Sequence, residues 1–341
     1  MRVIPVNKRL ENEFLPSVNS FSNLRGKRIF LTGGTGFFGK NLLTAIAAMN
    51  GDCEKPRVEV MVLSRHPEKF RLNYPQFGDI SKLSFLVGDV RDFPFPEGHF
   101  DYILHGATES SSTLERDDPD EMYSVIVEGT RRMLDFSVKA EVSRFMIISS
   151  GAVYGPQPPA MEHLPETYTG APVTVYGKGK LRAEEMCVEA GDRHGFTVLL
   201  PRCFAFVGPY LNLEAHFAIG NFIRDCLKNR PITVKGDGTP LRSYLYTADL
   251  VEWLLTILSS GVHARPYHVG SAEAISISDL ANLVRTCAGT THPIKILGAS
   301  VPEALPSRYV PSVERAASEL GLRSRYTLKE AVTRTLEWHL A

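Results

Sequence analysis

Two hydrophobic periods alternate along most of this chain. Short runs that are apolar at nearly every position (KRIFLT, RVEVMVLS, LSFLVGD, FDYILHGA, RFMIISS and FTVLLPR) read as strands. Between them lie stretches with apolar residues three and four apart, FFGKNLLTAIAAMNG, MYSVIVEGTRRMLDFSVKA and TVYGKGKLRAEEMCVEAG, which read as helices, the first stopped by Gly51. Strands apolar on both faces and joined by helices predict an α/β fold built on a doubly wound parallel sheet. Residues 1–24 keep no period, carry Pro5 and Pro16, and read as an arm laid on the surface without chemistry of its own. After Phe204 the texture loosens. KGDGTP suggests a hairpin turn, TADLVEWLLTILSSG an apolar helix, and PYHVG a strand that could rejoin the main sheet. The main domain is therefore expected over 25–203 and 247–270, and a smaller mixed α/β lobe over 204–246 and 271–341.

A length of 341 residues leaves room for two such domains. Thirty-eight Lys and Arg against 38 Asp and Glu give no net charge, which removes any bulk attraction for nucleic acid or an anionic membrane. A phosphate ligand would have to be held by a local cluster. Cys53, Cys187, Cys203, Cys226 and Cys287 are scattered and never spaced C-x-x-C, so neither a disulfide frame nor a metal site is expected, and Cys187 and Cys203 read as packed thiols. No apolar run approaches the ~18 residues that span a bilayer, and MRVIPVNKRLENEF lacks the apolar stretch of a signal peptide. A reduced, cytoplasmic protein is the expectation. Asp117, Asp118 and Asp120 read as a solvated loop and helix start.

The sharpest local signal is Thr32-Gly33-Gly34-Thr35-Gly36-Phe37-Phe38-Gly39, between the first strand and the first helix. Gly33 suits a tight turn, Gly36 lets a pyrophosphate approach the helix N-terminal amides, and Gly39 lets helix and strand pack closely. Thr35, Phe37 and Phe38 share that cofactor turn. The second strand ends in Ser64-Arg65 where an acidic residue would meet the ribose of NAD; a guanidinium suits a 2′-phosphate, so NADP is favoured and NAD remains possible. Asp89 and Val90 are placed to meet the adenine, and His105 and Ala107, at the next strand end, complete the cofactor set. His105 also reads as a satisfied core residue.

Tyr176 and Lys180 are four apart on a predicted helix and share a face. Ser149-Ser150 closes a strand upstream, at the sheet edge where open parallel sheets bind ligands. A phenol, ordinarily titrating near pH ~10, becomes a useful base near neutrality when an ammonium stabilises its phenolate. Ser150 could bond the substrate oxygen while Tyr176 moves its proton, which is the chemistry of hydride transfer at a carbinol or carbonyl.

TGGTGFFG, SSGAVYG, YGKGK and RSYLYTADL together resemble the extended short-chain dehydrogenase/reductase family, in its nucleotide-sugar epimerase/dehydratase branch, over nearly the whole chain after the first two dozen residues. The resemblance implies a Rossmann-type dinucleotide domain, a nucleotide-sugar lobe and a homodimer formed through the MYSVIVEGTRRMLDF and Tyr176 helices. It implies that Tyr176 is the base, Lys180 binds the nicotinamide ribose, Ser150 is the hydroxyl partner, and Arg242 and Arg308 clamp the substrate diphosphate. Glu109, Gly151, Ala152, Ala205 and Asn221 fall at further substrate positions. Relatives that act as 4,6-dehydratases carry an Asp-Glu pair where this chain has Gly151 and Ala152, and decarboxylating relatives keep a Glu at the second position. Small residues there resemble 4-epimerases and 4-keto reductases. Ala205 stands where relatives usually place an Asn, and Glu109 is the nearby carboxylate that could substitute for the missing pair. The expectation is redox chemistry at C4 of a nucleotide-diphosphate sugar, by an epimerase or a 4-keto reductase. A 4,6-dehydratase with rearranged acid-base groups is the runner-up, and a non-catalytic dinucleotide-binding protein the reading of another class.

Overall fold

A computed structural model describes residues 10–14, 19–51, 54–78, 80–108, 112–299 and 305–341. Glu109 and Cys53 lie outside the described residues. The chain packs as two compact units. The first comprises Met1–Ser150, Thr174–Arg202 and Val251–Pro266; the second comprises Gly151–Val173, Cys203–Leu250 and Tyr267–Ala341.

In the first unit, elements follow in the order β1 (Arg28–Thr32), α1 (Phe37–Asn50), β2 (Glu59–Ser64), α2 (Pro67–Asn73), β3 (Leu83–Val87), β4 (Tyr102–His105), α3 (Ser112–Asp117), α4 (Pro119–Lys139), β5 (Arg144–Ile147), β6 (Ser149–Ser150), α5 (Val175–His194) and β7 (Thr197–Cys203). The sheet runs β7–β5–β4–β1–β2–β3 with every one of these pairs parallel. It is a mostly parallel, Rossmann-like sheet. Strand order reverses between β1 and β4, and such a reversal opens a crevice at the strands' C-terminal ends. Central strands are buried along their length while β3, at the edge, is half exposed, in line with their apolar runs. Local chemistry starts the helices where they begin. Asp118 caps α4 by accepting the Glu121 N–H at 3.1 Å, with Pro119 opening the first turn, and Thr174 caps α5 from Gly177 at 3.0 Å.

The core beneath α4 is aromatic. The Phe30 ring lies 4.8 Å from Phe136, 5.5 Å from Phe100 and 5.6 Å from Phe93. All four are fully buried, each worth roughly 1.5–3 kcal/mol in transferred apolar surface. Helix α5 packs on α4, and Gly179 allows the approach: a Cβ there would lie 3.2 Å from Ile126 Cδ1. Cys187 and Cys203 are buried thiols.

The second unit contains β8 (Phe206–Val207), α6 (Ala218–Leu227), β9 (Ile232–Val234), β10 (Leu241–Arg242) and β11 (Leu245–Tyr246). Helix α7 (Thr247–Ser260) and strand β12 (Pro266–Val269) each have residues in both units. Then come β13 (Ile275–Ser276), α8 (Ile277–Cys287), β14 (Ile294–Ile296), β15 (Arg308–Tyr309), α9 (Glu314–Leu320) and α10 (Leu328–Leu340). Helices α6, α8 and α10 pack together, and a capping box between Thr327 and Glu330 opens α10. No helix among the described residues is long and apolar enough to cross a membrane.

Three expectations change. The turn at KGDGTP makes no hairpin: β9 pairs in parallel with β14, while β10 pairs with β13 and β15. Strands this short bury little by pairing with each other, and each takes a partner distant in sequence instead. Residues 151–173 pack with the second unit, because Gln157 bridges to Arg308 and Leu164 to Pro311. The described part of the N-terminal arm is anchored, with Leu10, Phe14, Phe21 and Leu24 all buried, and just beyond it Arg25 Nη1 donates to the Met49 carbonyl at 3.0 Å.

Candidate active site

At the end of β1 the chain turns through Gly33 at φ +75°, where a Cβ would meet the Gly106 carbonyl carbon at 2.6 Å. Only glycine fits both the dihedral and the space. A Cβ on Gly39 would collide with the Gly34 backbone, so the first turn of α1 lies directly against the turn. Exposed Gly36 is the N-cap and contributes no side-chain cap, and Phe37 and Phe38 stand half-buried with ring centres 5.8 Å apart. A helix start without a side-chain cap, approached by bare backbone, fits an anionic diphosphate.

Across the crevice, Thr32 and His105 are register partners on β1 and β4. Thr130 donates to the Ile126 carbonyl at 2.7 Å, so His105 Nε2–H donates to Thr130 at 3.2 Å and its Nδ1 accepts from Thr32 at 2.8 Å. Thr32 Oγ1 in turn accepts the N–H groups of Gly106 and Ala107 at 3.1 and 2.9 Å. His105 is a neutral fastener, its pKa pushed down to about 3 by burial and then by the Lys180 charge. Both ring nitrogens are engaged inside the protein, which favours the satisfied core residue among its two sequence readings. Val90 is likewise a core side chain, packed against Gly129. Asp89 accepts the Arg91 backbone N–H and Nε–H at 3.0 and 2.9 Å. Burial works to raise its pKa, and Arg91 with Arg65 outweighs it, leaving the carboxyl below the usual range. Arg65 is exposed at the end of β2, where the Ser64 hydroxyl accepts the His66 N–H at 3.3 Å.

Tyr176 and Lys180 sit in the first turns of α5. The Lys180 ammonium, almost wholly buried, donates to the Ile148 carbonyl at 2.9 Å and lies 5.8 Å from the Tyr176 ring centre. Ser149 and Ser150 follow at once, both buried, and the Ser149 hydroxyl has no hydrogen-bond partner among the described residues. Thr108 Oγ1, beyond β4 at the same edge of the sheet, is a second such orphan. Orphaned hydroxyls at a ligand-binding edge are what a polar ligand satisfies.

In the second unit, Gly151 opens a 3₁₀ turn over Gly151–Tyr154. A Cβ on Gly151 would lie 2.7 Å from both the Phe204 ring and the Tyr309 hydroxyl. The Phe204 and Tyr309 rings pack with centres 4.7 Å apart, tilted by 38°. The register pairs Arg242 with Tyr309 and Leu241 with Arg308, so the two arginines are one residue out of step and do not start from one face of the ribbon. Arg242 Nη1 donates to the Leu241 carbonyl at 2.8 Å and Arg308 Nε to the Pro159 carbonyl at 3.1 Å. Burial lowers the Arg242 pKa, with Tyr244 and Tyr309 opposing. Ala205 holds β11 through its carbonyl, which accepts from Leu245 at 3.0 Å, and Ala152 accepts from Gly155 at 3.2 Å. The Asn221 amide donates to the carbonyls of Leu213, Ala215 and Phe217, pinning the loop before α6.

The family model described as the NAD dependent epimerase/dehydratase family matches residues 29–270. The chain belongs to that family. UDP-glucuronic acid decarboxylase 1 of Xenopus tropicalis is 26% identical over 347 residues, covering 98% of this chain and 79% of the relative. Among solved structures, a UDP-glucuronic acid 4-epimerase from Bacillus cereus in complex with UDP-glucuronic acid and NAD superposes with a TM-score of 0.79 at 19% identity, covering 92% of this chain and all of that one. A dTDP-glucose 4,6-dehydratase from Bacillus anthracis in complex with NAD gives 0.77 at 19% identity, covering 92% and 96%. At such identities the structural likeness concerns the fold.

Two features of this epimerase/dehydratase chain escape a reading of the sequence. Glu115, on α3, accepts the Tyr176 backbone N–H at 3.0 Å from 61 residues away, and TLER carries no motif to signal it. The second unit also has a cavity of about 330 Å³ lined by Asn221, Arg224, Asp225, Arg230, Pro231, Thr233, Lys235 and Lys295. Four cations and one carboxylate line it, Arg224 and Asp225 from α6, Arg230 and Lys235 from the segments on either side of β9, and Lys295 from β14. Asp225 pairs with Arg224 at 2.8 Å.

Proposed function

We propose that this chain is an NAD(P)-dependent enzyme that oxidises and reduces a nucleotide-diphosphate sugar at C4, as an epimerase or a 4-keto reductase, with NADP favoured and NAD possible. The first unit would serve as the dinucleotide domain and the second as the sugar-nucleotide lobe. The observation that carries the reading is the buried Lys180 ammonium, 5.8 Å from the Tyr176 ring and bonded beside the Ser149-Ser150 strand end. That charge favours the Tyr176 phenolate. As base, Tyr176 removes the proton of the C4 hydroxyl while Ser150 bonds the same oxygen; in the reverse direction Tyr176 returns the proton to the ketone oxygen. A bound nicotinamide supplies the hydride exchange at C4. Thr35, Gly36, Phe37 and Phe38 would face the diphosphate, Ser64 and Arg65 the adenosine ribose, and Asp89 and Ala107 the rest of the cofactor. Arg242, Arg308, Asn221 and Ala205 are assigned to the substrate, with the basic cavity supporting a polyanionic ligand. Helices α4 and α5 would supply the homodimer face.

A 4,6-dehydratase is the second reading, favoured by the HGATES and RSYLYT segments. Against it stand Gly151 and Ala152, which transfer no proton, and the aromatic pair that fills the space beside Gly151. The test is incubation with UDP-, dTDP-, CDP- and GDP-sugars, UDP-glucuronic acid and 4-keto-6-deoxy derivatives, with each dinucleotide. Inverted C4 configuration, or one NADPH consumed per ketone, is the expected result; loss of water or of carbon dioxide by mass spectrometry overturns it. Tyr176→Phe should lower kcat by about 10²–10⁴ with cofactor binding retained; unaltered turnover would remove Tyr176 as the base, and a wild type that binds dinucleotide but turns over none of the sugars would favour the non-catalytic role.

A further inference from the structure

The first four N–H groups of a helix have no partner inside it, and at α5 that shortage falls on the residue proposed as base. Gly177 N–H is taken by the Thr174 hydroxyl at 3.0 Å, while Lys178 N–H makes the first intrahelical bond, to the Thr174 carbonyl at 3.0 Å. Tyr176 N–H goes instead to Glu115 Oε1 at 3.0 Å. Glu115 belongs to a different element, α3, which ends at Asp117, next to the Asp118 cap of α4.

We propose that Glu115 is a positioning residue for Tyr176. The inference rests on the role given to Tyr176 above, and concerns what aims its phenol. Lys180 holds the ring's surroundings from one turn further along, through the Ile148 carbonyl. Thr174 reaches the two amides beyond Tyr176, and the Glu115 carboxylate takes the amide of Tyr176 itself, fixing the backbone from which the side chain springs. A carboxylate is well suited to this position, since it accepts a charge-assisted bond and its negative charge is favourable at a helix N-terminus. Since α3 stands next to α4 in sequence and α4 packs on α5, the aim of the phenol is set by three helices together.

The experiment compares the wild type with Glu115→Ala and Glu115→Gln, where Gln keeps an acceptor without the charge. With a substrate identified by the panel, Glu115→Ala should lower kcat about tenfold with KM within about twofold, since a small misplacement of a reacting group costs rate more than binding. Glu115→Gln should restore kcat to within about threefold. Amide hydrogen exchange at Tyr176 gives a readout without turnover: it should quicken at least about tenfold in Glu115→Ala and stay slow in Glu115→Gln. Unchanged kcat and exchange in Glu115→Ala overturn the proposal. So does an equal fall of kcat and rise of KM in both variants, which would mean general damage. If Glu115→Ala does not fold, the Gln variant decides, because fast exchange at Tyr176 in a folded Gln protein also overturns it. Tyr176→Phe is run in parallel: full activity there defeats the functional reading, while a dead Tyr176→Phe beside a wild-type Glu115→Ala defeats only this inference.

Discussion

Single residues in this molecule act mostly by satisfying one another, and the Thr32–His105–Thr130 chain is the clearest case. His105 is held neutral at a pKa near 3 because burial and the nearby Lys180 charge both oppose its cation. An unfolded histidine takes up its proton near pH ~6.5. Its contribution to stability is therefore full above that pH and is lost as pH falls from there toward about 3, at ~1.4 kcal/mol per unit for one proton. His105→Gln, which keeps a donor and an acceptor, should flatten that slope. Urea titrations of both proteins between pH 7 and pH 5 read the difference, and identical slopes would refute the assignment. From sequence, His105 offered two readings, cofactor contact or satisfied core residue. The choice needed both ring nitrogens' partners, Thr32 and Thr130, which lie 73 and 25 residues away.

The elements themselves were the most legible level. Strands β1, β2, β4, β5 and β7 could be read because parallel strands buried on both faces leave continuous apolar runs, and α1, α4 and α5 because their period is 3.6 and their caps are local. What could not be read is pairing at a distance: the partners of β9 and β10, the register that offsets Arg242 from Arg308, and the bond from Glu115 to Tyr176. Where two elements press together, glycine is the sequence's one visible trace of it. Gly39→Ala would drive a methyl into the Gly34 backbone, so it should destabilise the protein by about 1–3 kcal/mol and weaken dinucleotide binding. Gly195→Ala, at the C-cap of α5 with φ +82° and open space around it, is the contrast. It should cost about 1 kcal/mol and leave dinucleotide affinity unchanged. Thermal melts with and without NAD or NADP separate the two; a cofactor-induced shift of equal size in both variants would count against the turn as the binding element.

At the scale of the whole molecule, the even charge balance says that anionic ligands must be met by fixed local groups, and under the proposed function Arg65 and the basic cavity are the candidates. The same scale exposes a dependence within the second unit. Asp249, fully buried, accepts from the Arg325 backbone N–H at 3.0 Å and Nε–H at 3.1 Å, which ties the segment before α10 to the start of α7. Burial raises the Asp249 pKa and Arg325 opposes that rise. Arg325→Ala strands the carboxylate and should cost about 3–5 kcal/mol; Asp249→Asn should cost less. A carboxyl raised by burial is least costly when protonated, so the loss in Arg325→Ala should shrink as pH falls toward about 4. Denaturation at pH 8 and pH 5 tests the sign. The interleaving of the two units also bears on how the chain is made. Synthesis delivers the seven strands β1 to β7 by Cys203, yet the stretch 251–266 that finishes the first unit emerges only after 203–250 of the second. The nascent chain must therefore hold a first unit that still lacks most of helix α7 while the ribosome lays down part of the other unit, so the first unit cannot be completed before the second has begun to appear.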